Sequence, residues 1–271
     1  MKYQIGRVAS LLGVSAEGLR LYERIGILSP QRESASGYRY YDRLDITSLL
    51  RARSYQKYGF SLQEVKDLLN TDDMQFVCDS YERQEQRLEE EILLRRLELR
   101  RMRQTREMLE DFPASLRQIH REMRPALYRL EFMVDLELCL AQEDFPLLQK
   151  WMAYAPLAFS SLRNDWEAMK SGQDICYSGI ALRAEDALAL GAQEIVEQGV
   201  FMPSCPCLAT VVSVEGETVN CADYLAHLAA YVKENGIVVT GDPVSESLVS
   251  MNKQRNYTRY RKVWLPIEEN T

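Results

Sequence analysis

Two groups of side chains carry most of the chemistry this sequence offers. The first is cationic and aromatic and lies near the N-terminus: Arg7, Arg20, Tyr22, Tyr38 and Arg39. Long donors of this kind reach phosphate oxygens, which fix position, or the edges of base pairs, which carry sequence. Tyr22, Tyr40 and Tyr41 also suit a packed role, because aromatic rings at the base of a helix or hairpin commonly turn inward. The second group lies in the C-terminal half: the aromatic residues Tyr154, Phe159, Trp166, Tyr177, Tyr231 and Trp264 in a segment rich in carboxylates. Aromatic walls around one partly desolvated carboxylate make a pocket for a lipophilic cation. Each of these rings, taken singly, equally suits a plain core.

Sulfur and acid–base chemistry offer less. Cys205-Pro206-Cys207 places two thiols two residues apart, hence on one face of a strand, where they could hold a metal, respond to oxidants or simply pack as small apolar groups. The two histidines, His120 and His227, are far apart, and no glycine-rich phosphate loop or nucleophile with a matching base is visible. No catalytic residues, no metal set and no cofactor are therefore expected.

The elements that must position these groups follow from pattern. In a chain of 271 residues, 46% hydrophobic, there is material for two cores. No apolar signal core follows Met1-Lys2-Tyr3-Gln4 and no stretch suits a membrane span, so a cytoplasmic protein without membrane contact is expected, its six cysteines reduced. The net charge of −7 is unevenly spread: residues 1–70 carry +4, residues 71–110 carry −3 and residues 111–271 carry −8. A basic first segment suits phosphate; an acidic last segment favours neutral or cationic partners.

Ile5, Val8, Ala9 and Leu12 have helical spacing, Gly13 stops that helix, and Ser15 caps a second one running through Glu23 to a stop at Gly26. This is a helix-turn-helix. The segment from Ser34 to Tyr41, with a small flexible tip and a basic aromatic run, reads as a hairpin wing. Helices are expected from Asp45 to Lys57 and from Ser61 to Leu69, the latter with Ser61 and Glu64 as a capping box. From Met74 to Leu109 there is neither Gly nor Pro, and Leu88, Ile92, Leu99, Met102 and Leu109 follow a heptad pattern interrupted by Arg95 and Arg106. A long helix with such a seam suits a coiled-coil homodimer, or a linker helix packed on its own domain.

Beyond Pro113 and Pro125 the texture becomes strand-like. Strands are expected at Leu127–Val134, Phe159–Trp166, Ile175–Leu182, Glu194–Met202, Leu208–Val214 and Tyr257–Leu265, with helices at Phe145–Tyr154 and Cys221–Asn235. The order strand, helix, strand, strand then occurs twice, from Ala126 to Arg183 and from Glu194 onward. The fold class is α+β: an N-terminal winged helix-turn-helix over residues 1–72, a long coiled-coil dimerisation helix over 73–112, and a duplicated strand-helix-strand-strand ligand-binding domain over 113–271.

The runs Tyr3-Gln4-Ile5-Gly6-Arg7-Val8-Ala9, Gly13-Val14-Ser15, Leu19-Arg20-Leu21-Tyr22-Glu23-Arg24-Ile25-Gly26-Ile27-Leu28-Ser29-Pro30, Gly37-Tyr38-Arg39-Tyr40-Tyr41 and Gly59-Phe60-Ser61-Leu62-Gln63-Glu64-Val65 resemble the MerR family of transcription regulators. One departure is Gly18, at a recognition-helix position where that family often has Thr. The resemblance implies a homodimer with antiparallel long helices. It would bind an overlong spacer in double-stranded promoter DNA through Arg7, Ser15, Glu17, Arg20, Tyr22, Tyr38 and Arg39, and would distort that spacer for RNA polymerase, most simply as an activator. Metal-sensing members place cysteines near both ends of the coil; here Cys78 lies near one end, but no second cysteine precedes Cys139. Residues 113–271 resemble instead the GyrI-like effector-binding domain of multidrug-sensing members. The likeness rests on the repeated element order and on the run Gly241-Asp242-Pro243-Val244-Ser245-Glu246-Ser247 ahead of a last strand ending Val263-Trp264-Leu265-Pro266-Ile267. It implies a small lipophilic aromatic ligand, with Glu246 contributing to its site and Ser247 standing where an aromatic is usual. A metal- or redox-responsive regulator acting through cysteines, or a small-molecule hydrolase fused to a DNA-binding module, are the alternative classes.

Overall fold

Local signals set the ends of the first helices. In the computed structural model, which describes residues 2–33, 37–110, 114–135, 137–215, 221–253 and 256–269, the chain divides into two compact units, Met1–Ile92 and Leu93–Thr271. The tip of the expected wing, Ser34 to Ser36, lies outside the described residues.

The first unit opens with β1 (Tyr3–Gln4) and α1 (Ile5–Leu12), which Gly13 terminates at φ 61°. That left-handed conformation is easy for Gly alone among common residues. Ser15 caps α2 (Ala16–Ile25) by accepting from the Gly18 N–H at 2.9 Å, and Gly26 closes the helix at φ 88°. The hairpin follows as β2 (Gln31–Arg32) and β3 (Arg39–Tyr41), antiparallel, with β1 on the other side of β3. Next comes α3 (Arg43–Lys57), starting ahead of the expected Asp45 because Asp42 is the N-cap and the Asp45 carboxylate reaches back to the Asp42 N–H at 3.0 Å. Val8, Leu19, Leu28, Tyr41, Leu49, Ala52, Phe60 and Val65 form one buried cluster that ties these elements together.

α4 (Leu62–Asn70) begins with the expected capping box: Glu64 N–H donates to Ser61 Oγ at 3.3 Å and Ser61 N–H to Glu64 Oε2 at 2.8 Å. Arg87 lies 2.9 Å from the same carboxylate. The Arg87 contact first, then the Ser61 bonds, hold the Glu64 carboxyl down at about 2. A depressed folded-state value means stabilisation that is complete above the ordinary carboxylate range and lost as pH falls from about 4.5 toward 2. The side chain is 35% exposed, so screening leaves about 1 kcal/mol of the larger figure that linkage alone would imply. Glu64→Gln should therefore lower the stability of this unit by about 1 kcal/mol at pH 7 and reduce its acid sensitivity below pH 4.5. Denaturant titrations of both proteins at pH 7 and pH 3 check this; parallel pH profiles would remove the linkage.

α5 (Met74–Glu110) is a single helix of 37 residues, as its lack of Gly and Pro predicts. The heptad seam stays open to solvent within one chain: Leu88 is 37%, Ile92 49%, Leu99 47% and Met102 68% exposed. Among the described residues no helix is long and apolar enough to cross a membrane.

The second unit is a nine-stranded antiparallel sheet. Its strands are β4 (His120–Arg124), β5 (Leu127–Val134), β6 (Glu137–Leu138), β7 (Phe159–Asn164), β8 (Cys176–Arg183), β9 (Val200–Met202), β10 (Cys205–Glu215), β11 (Val244–Lys253) and β12 (Asn256–Pro266). The order is β4-β10-β12-β11-β7-β8-β5-β6, with β9 also paired to β5. Helices α6 (Phe145–Met152), α7 (Trp166–Lys170), α8 (Ala184–Ala189), α9 (Gln193–Gln198) and α10 (Cys221–Glu234) complete the unit. With β6 and α7 set aside, β5, α6, β7 and β8 follow the same order as β10, α10, β11 and β12, and the two trios of strands meet at the β7–β11 pairing.

Three expectations change. Glu194–Met202 is not one strand but α9 followed by the short β9; Ile195 buries into the core beside Trp151, and the next long strand starts at Cys205. Trp166 starts α7 and does not extend β7. β4 and β11 were not foreseen.

Antiparallel pairing separates two faces. Leu162, Cys176, Leu208, Val212, Val263 and Leu265 meet Tyr224, Leu225 and Leu228 of α10, while Leu130, Ile180 and Leu182 meet Trp151 of α6 and Ile195 of α9. The opposite face carries Phe159, Ser161, Arg163, Tyr177, Glu246, Lys262 and Trp264, which follow from the register pairs Glu246↔Ser161, Glu246↔Lys262, Val244↔Arg163, Val244↔Trp264 and Arg163↔Tyr177.

Candidate functional site

Glu246 lies fully buried on the second of these faces. Arg101, from the last turns of α5, makes a short ion pair with it, and Arg183 of β8 stands 3.4 Å from its other oxygen. The carboxylate expected to oppose a ligand's positive charge is thus already opposed by two guanidinium groups. Arg101 also stacks over Phe159, its guanidinium carbon 5.2 Å from the ring centroid. Arg183 further donates to Gln104 Oε1 at 3.1 Å.

The six expected aromatics divide. Phe159, Tyr177 and Trp264 share the face with Glu246, whereas Tyr154 and Trp166 sit in the cores beneath the helices and Tyr231 stands on α10. Tyr177 lies under Arg163 at 3.7 Å, and Arg163 is held by Glu131 at 2.7 Å and Asp242 at 2.6 Å. Burial opposes the Arg163 charge, but those carboxylates outweigh it and raise its pKa. Trp264 is buried with its Nε1–H donating to Glu122 Oε1 at 2.5 Å, and Lys262 reaches the same carboxylate at 2.7 Å. Burial pushes the Glu122 carboxyl up; hydrogen bonds from Lys262, Trp264 and His120 hold it below the usual range. Around Tyr177 and Trp264 the floor of this face is therefore made of matched charges between rings.

Beside Trp264, the Cys205 and Cys207 sulfurs approach to 3.6 Å. Burial, with Cys205 adding to it, pushes the Cys207 thiol up to about 12, which keeps it protonated and a poor nucleophile. No cluster of three or more metal-ligating side chains occurs among the described residues.

In the first unit the helix-turn-helix presents Arg20 at the surface of α2, paired with Glu17 at 3.0 Å; Arg24 lies 3.7 Å from the same acid. Glu17, in the first turn, supports the helix dipole and orients Arg20. Ser15 serves as the cap described above. Arg7 rests over the Tyr3 ring at 5.4 Å, and Tyr38 is 62% exposed near the wing tip. Two expected contact residues have internal partners. Tyr22 donates to Gln56 Oε1 in a short bond and packs on the core, and Arg39 donates to Glu23 Oε2 at 2.6 Å. Arg32 reaches the other oxygen of Glu23 at 2.7 Å. One carboxylate on α2 thereby fastens both strands of the hairpin. Partial burial alone would raise the Glu23 carboxyl, but the two arginine bonds outweigh it and hold it below the usual range.

The family model described as MerR HTH family regulatory protein matches residues 3–72, which spans β1 through α4. Residues 3–72 are a MerR-family helix-turn-helix domain. Over 65 residues the chain is 40% identical to the HTH-type transcriptional regulator HmrR of Sinorhizobium medicae (strain WSM419), a match covering 24% of this chain and 44% of that relative. The chain thus spans less than half the length of that curated relative. Among solved structures, the N-terminus of MtaN, the Bacillus subtilis multidrug transporter activator, is 32% identical, covering 34% of this chain and 92% of that one with a TM-score of 0.28. The EcmrR–DNA complex covers 99% of this chain and 100% of its own at 17% identity and a TM-score of 0.40.

Within the MerR domain the pattern of the residues missed on sequence is informative. Glu23 lies inside the very motif that carries the resemblance, yet its partners Arg32 and Arg39 are set by the hairpin, which spacing alone does not pair with α2. Arg53 of α3 donates to the Leu12 carbonyl at the end of α1 in a short bond, and nothing local signals that contact. In the second unit Arg101 and Arg183 were missed as partners of Glu246; a lone arginine in a charged helix reads as a solvated residue.

Proposed function

We propose that this chain is a ligand-responsive transcription regulator: a homodimer that binds double-stranded promoter DNA through α2 and the wing of its MerR domain. The organisation proposed is a DNA-binding domain over residues 1–72, a dimerisation helix over 73–112 and an effector-binding domain over 113–271 built by duplication of a strand-helix-strand-strand unit. The supporting observation is the capped helix-turn-helix with Arg20 exposed on α2 and a wing fastened to that helix through Glu23. Arg20 supplies direct contact; Arg7 and Tyr38 contact flanking phosphates; Ser15, Glu17, Tyr22 and Arg39 shape the surface they act from. The open heptad seam of α5 supports the dimer. The MerR likeness supports RNA polymerase as the partner and distortion of an overlong spacer as the action. The face bearing Phe159, Tyr177 and Trp264 supports a small aromatic effector.

Replacing Arg20 by Ala is expected to weaken binding to the cognate promoter by roughly 1–3 kcal/mol, with melting of the protein unchanged. Gel-shift titration at fixed salt measures it. Wild-type affinity in the variant would remove α2 from the contact.

A further inference from the structure

The ion cluster around Glu246 is unbalanced. Arg101 and Arg183 both reach Glu246, and the ion pairs among the described residues give these two arginines that one carboxylate. Asp186, which also feels Arg183, is held by Arg100 in a short ion pair. Two donors in the cluster, Arg101 Nη1 and Arg183 Nε, are buried with no acceptor in hydrogen-bonding geometry among the described residues, and Glu246 Oε1, though ion-paired with Arg101, likewise has no donor in such geometry. Arg101 as a whole is only 7% exposed. A buried donor without an acceptor is unfavourable, and a buried excess of positive charge more so.

Arg101 lines a groove of about 550 Å³ formed by the last turns of α5, the segment leading into β7 and the end of β11. Its walls are largely apolar, including Pro156, Phe159 and Leu248 with Met102 of the α5 seam; besides Arg101 its charged residues are Arg106 and Glu98, and Glu98 is already paired with Arg95. That volume suits a compact aromatic molecule. We infer that this groove binds an aromatic organic anion, whose ring lies against Phe159 and Pro156 and whose acid group takes the free donor of Arg101. The assignment rests on the effector reading above and fixes its charge class, opposite to the one that Glu246 suggested in the sequence. Arg–carboxylate pairing in a partly desolvated site is strong and directional. A ligand acid competing with Glu246 for Arg101 would also loosen the contact of α5 with the sheet floor within this unit, which gives the effector a differential grip on two arrangements.

The test uses the full chain and three probes with one ring system and different charge: 2-naphthoate, 2-naphthylmethanol and 2-naphthylmethylammonium, titrated by calorimetry without DNA. Naphthoate should bind at least about tenfold tighter than either of the others. Arg101→Gln should abolish that preference, and Arg101→Lys, which keeps the charge, should retain most of it. The comparison of probes on the wild-type chain stands even if Arg101→Gln fails to fold. Equal affinity for all three probes, preference for the ammonium, or no binding at millimolar concentration overturns the inference. Promoter binding by the same preparation is measured separately, so loss of anion preference with DNA binding intact sinks this assignment alone, whereas loss of DNA binding sinks the regulator reading.

Discussion

Aspartate at both Ile92 and Leu99 is expected to turn the proposed dimer into monomers and to reduce affinity for a palindromic promoter site roughly 100- to 10,000-fold, the range that linking two binding modules supplies. The two residues lie seven apart on α5 and are 49% and 47% exposed within one chain. An apolar stripe of this length on an otherwise charged helix gains little by facing water; against a second copy each residue would be buried between ridges of the facing helix. A carboxylate there must be desolvated without a partner, so the substitution acts on association and leaves intrachain packing largely alone. Arg95, which interrupts the seam, is held by Glu98 at 2.8 Å and so can lie beside such an interface without an unmatched charge. Sedimentation at micromolar concentration, together with gel shifts on full and half sites, separates the outcomes. A wild-type monomer, or a double variant that still dimerises, would move the interface elsewhere.

The first unit was legible because its signals are local. Gly13, Ser15, Gly26 and the Ser61–Glu64 box each act within one turn of their own position, and the structure uses each as expected. In the second unit the apolar strands stood out while the polar ones did not. β4 reads His-Arg-Glu-Met-Arg at the edge of the sheet, where charge is tolerated. β11 carries Ser245 and Glu246, both buried, so neither face of it shows an apolar alternation. The error at Glu194–Met202 has a related cause. Its apolar residues fit either period over so short a run, and tertiary packing decides: a Cβ at Gly199 would sit 2.9 Å from the Trp151 ring, so the chain must turn there with no side chain. The six aromatics divide between faces for the same reason. Composition counts rings; only the register assigns them to faces.

Glu246 was singled out in the sequence as a candidate ligand carboxylate; its partners lie on α5 and β8, and that changes what its loss should do. Glu246→Ala is expected to destabilise the second unit by roughly 3–5 kcal/mol, because removing one member of a buried ion pair strands the others. Here two arginines would be left, Arg101 beneath solvent and stacked on Phe159, Arg183 facing Gln104. If Glu246 were a solvated wall of an open pocket, the same substitution would alter ligand affinity and hardly touch stability. Melting therefore distinguishes the two, before any ligand is known. The pairing itself is measured by a cycle: adding Arg101→Met to Glu246→Ala should be less damaging than the sum of the single changes by roughly 1–3 kcal/mol, since the second change removes a charge that the first left unpaired. Additive losses would mean that Arg101 and Glu246 are neighbours without being partners. Coupling in that range would instead make the end of α5 an integral part of the sheet's ionic floor, which is the contact an effector bound at Arg101 has to disturb.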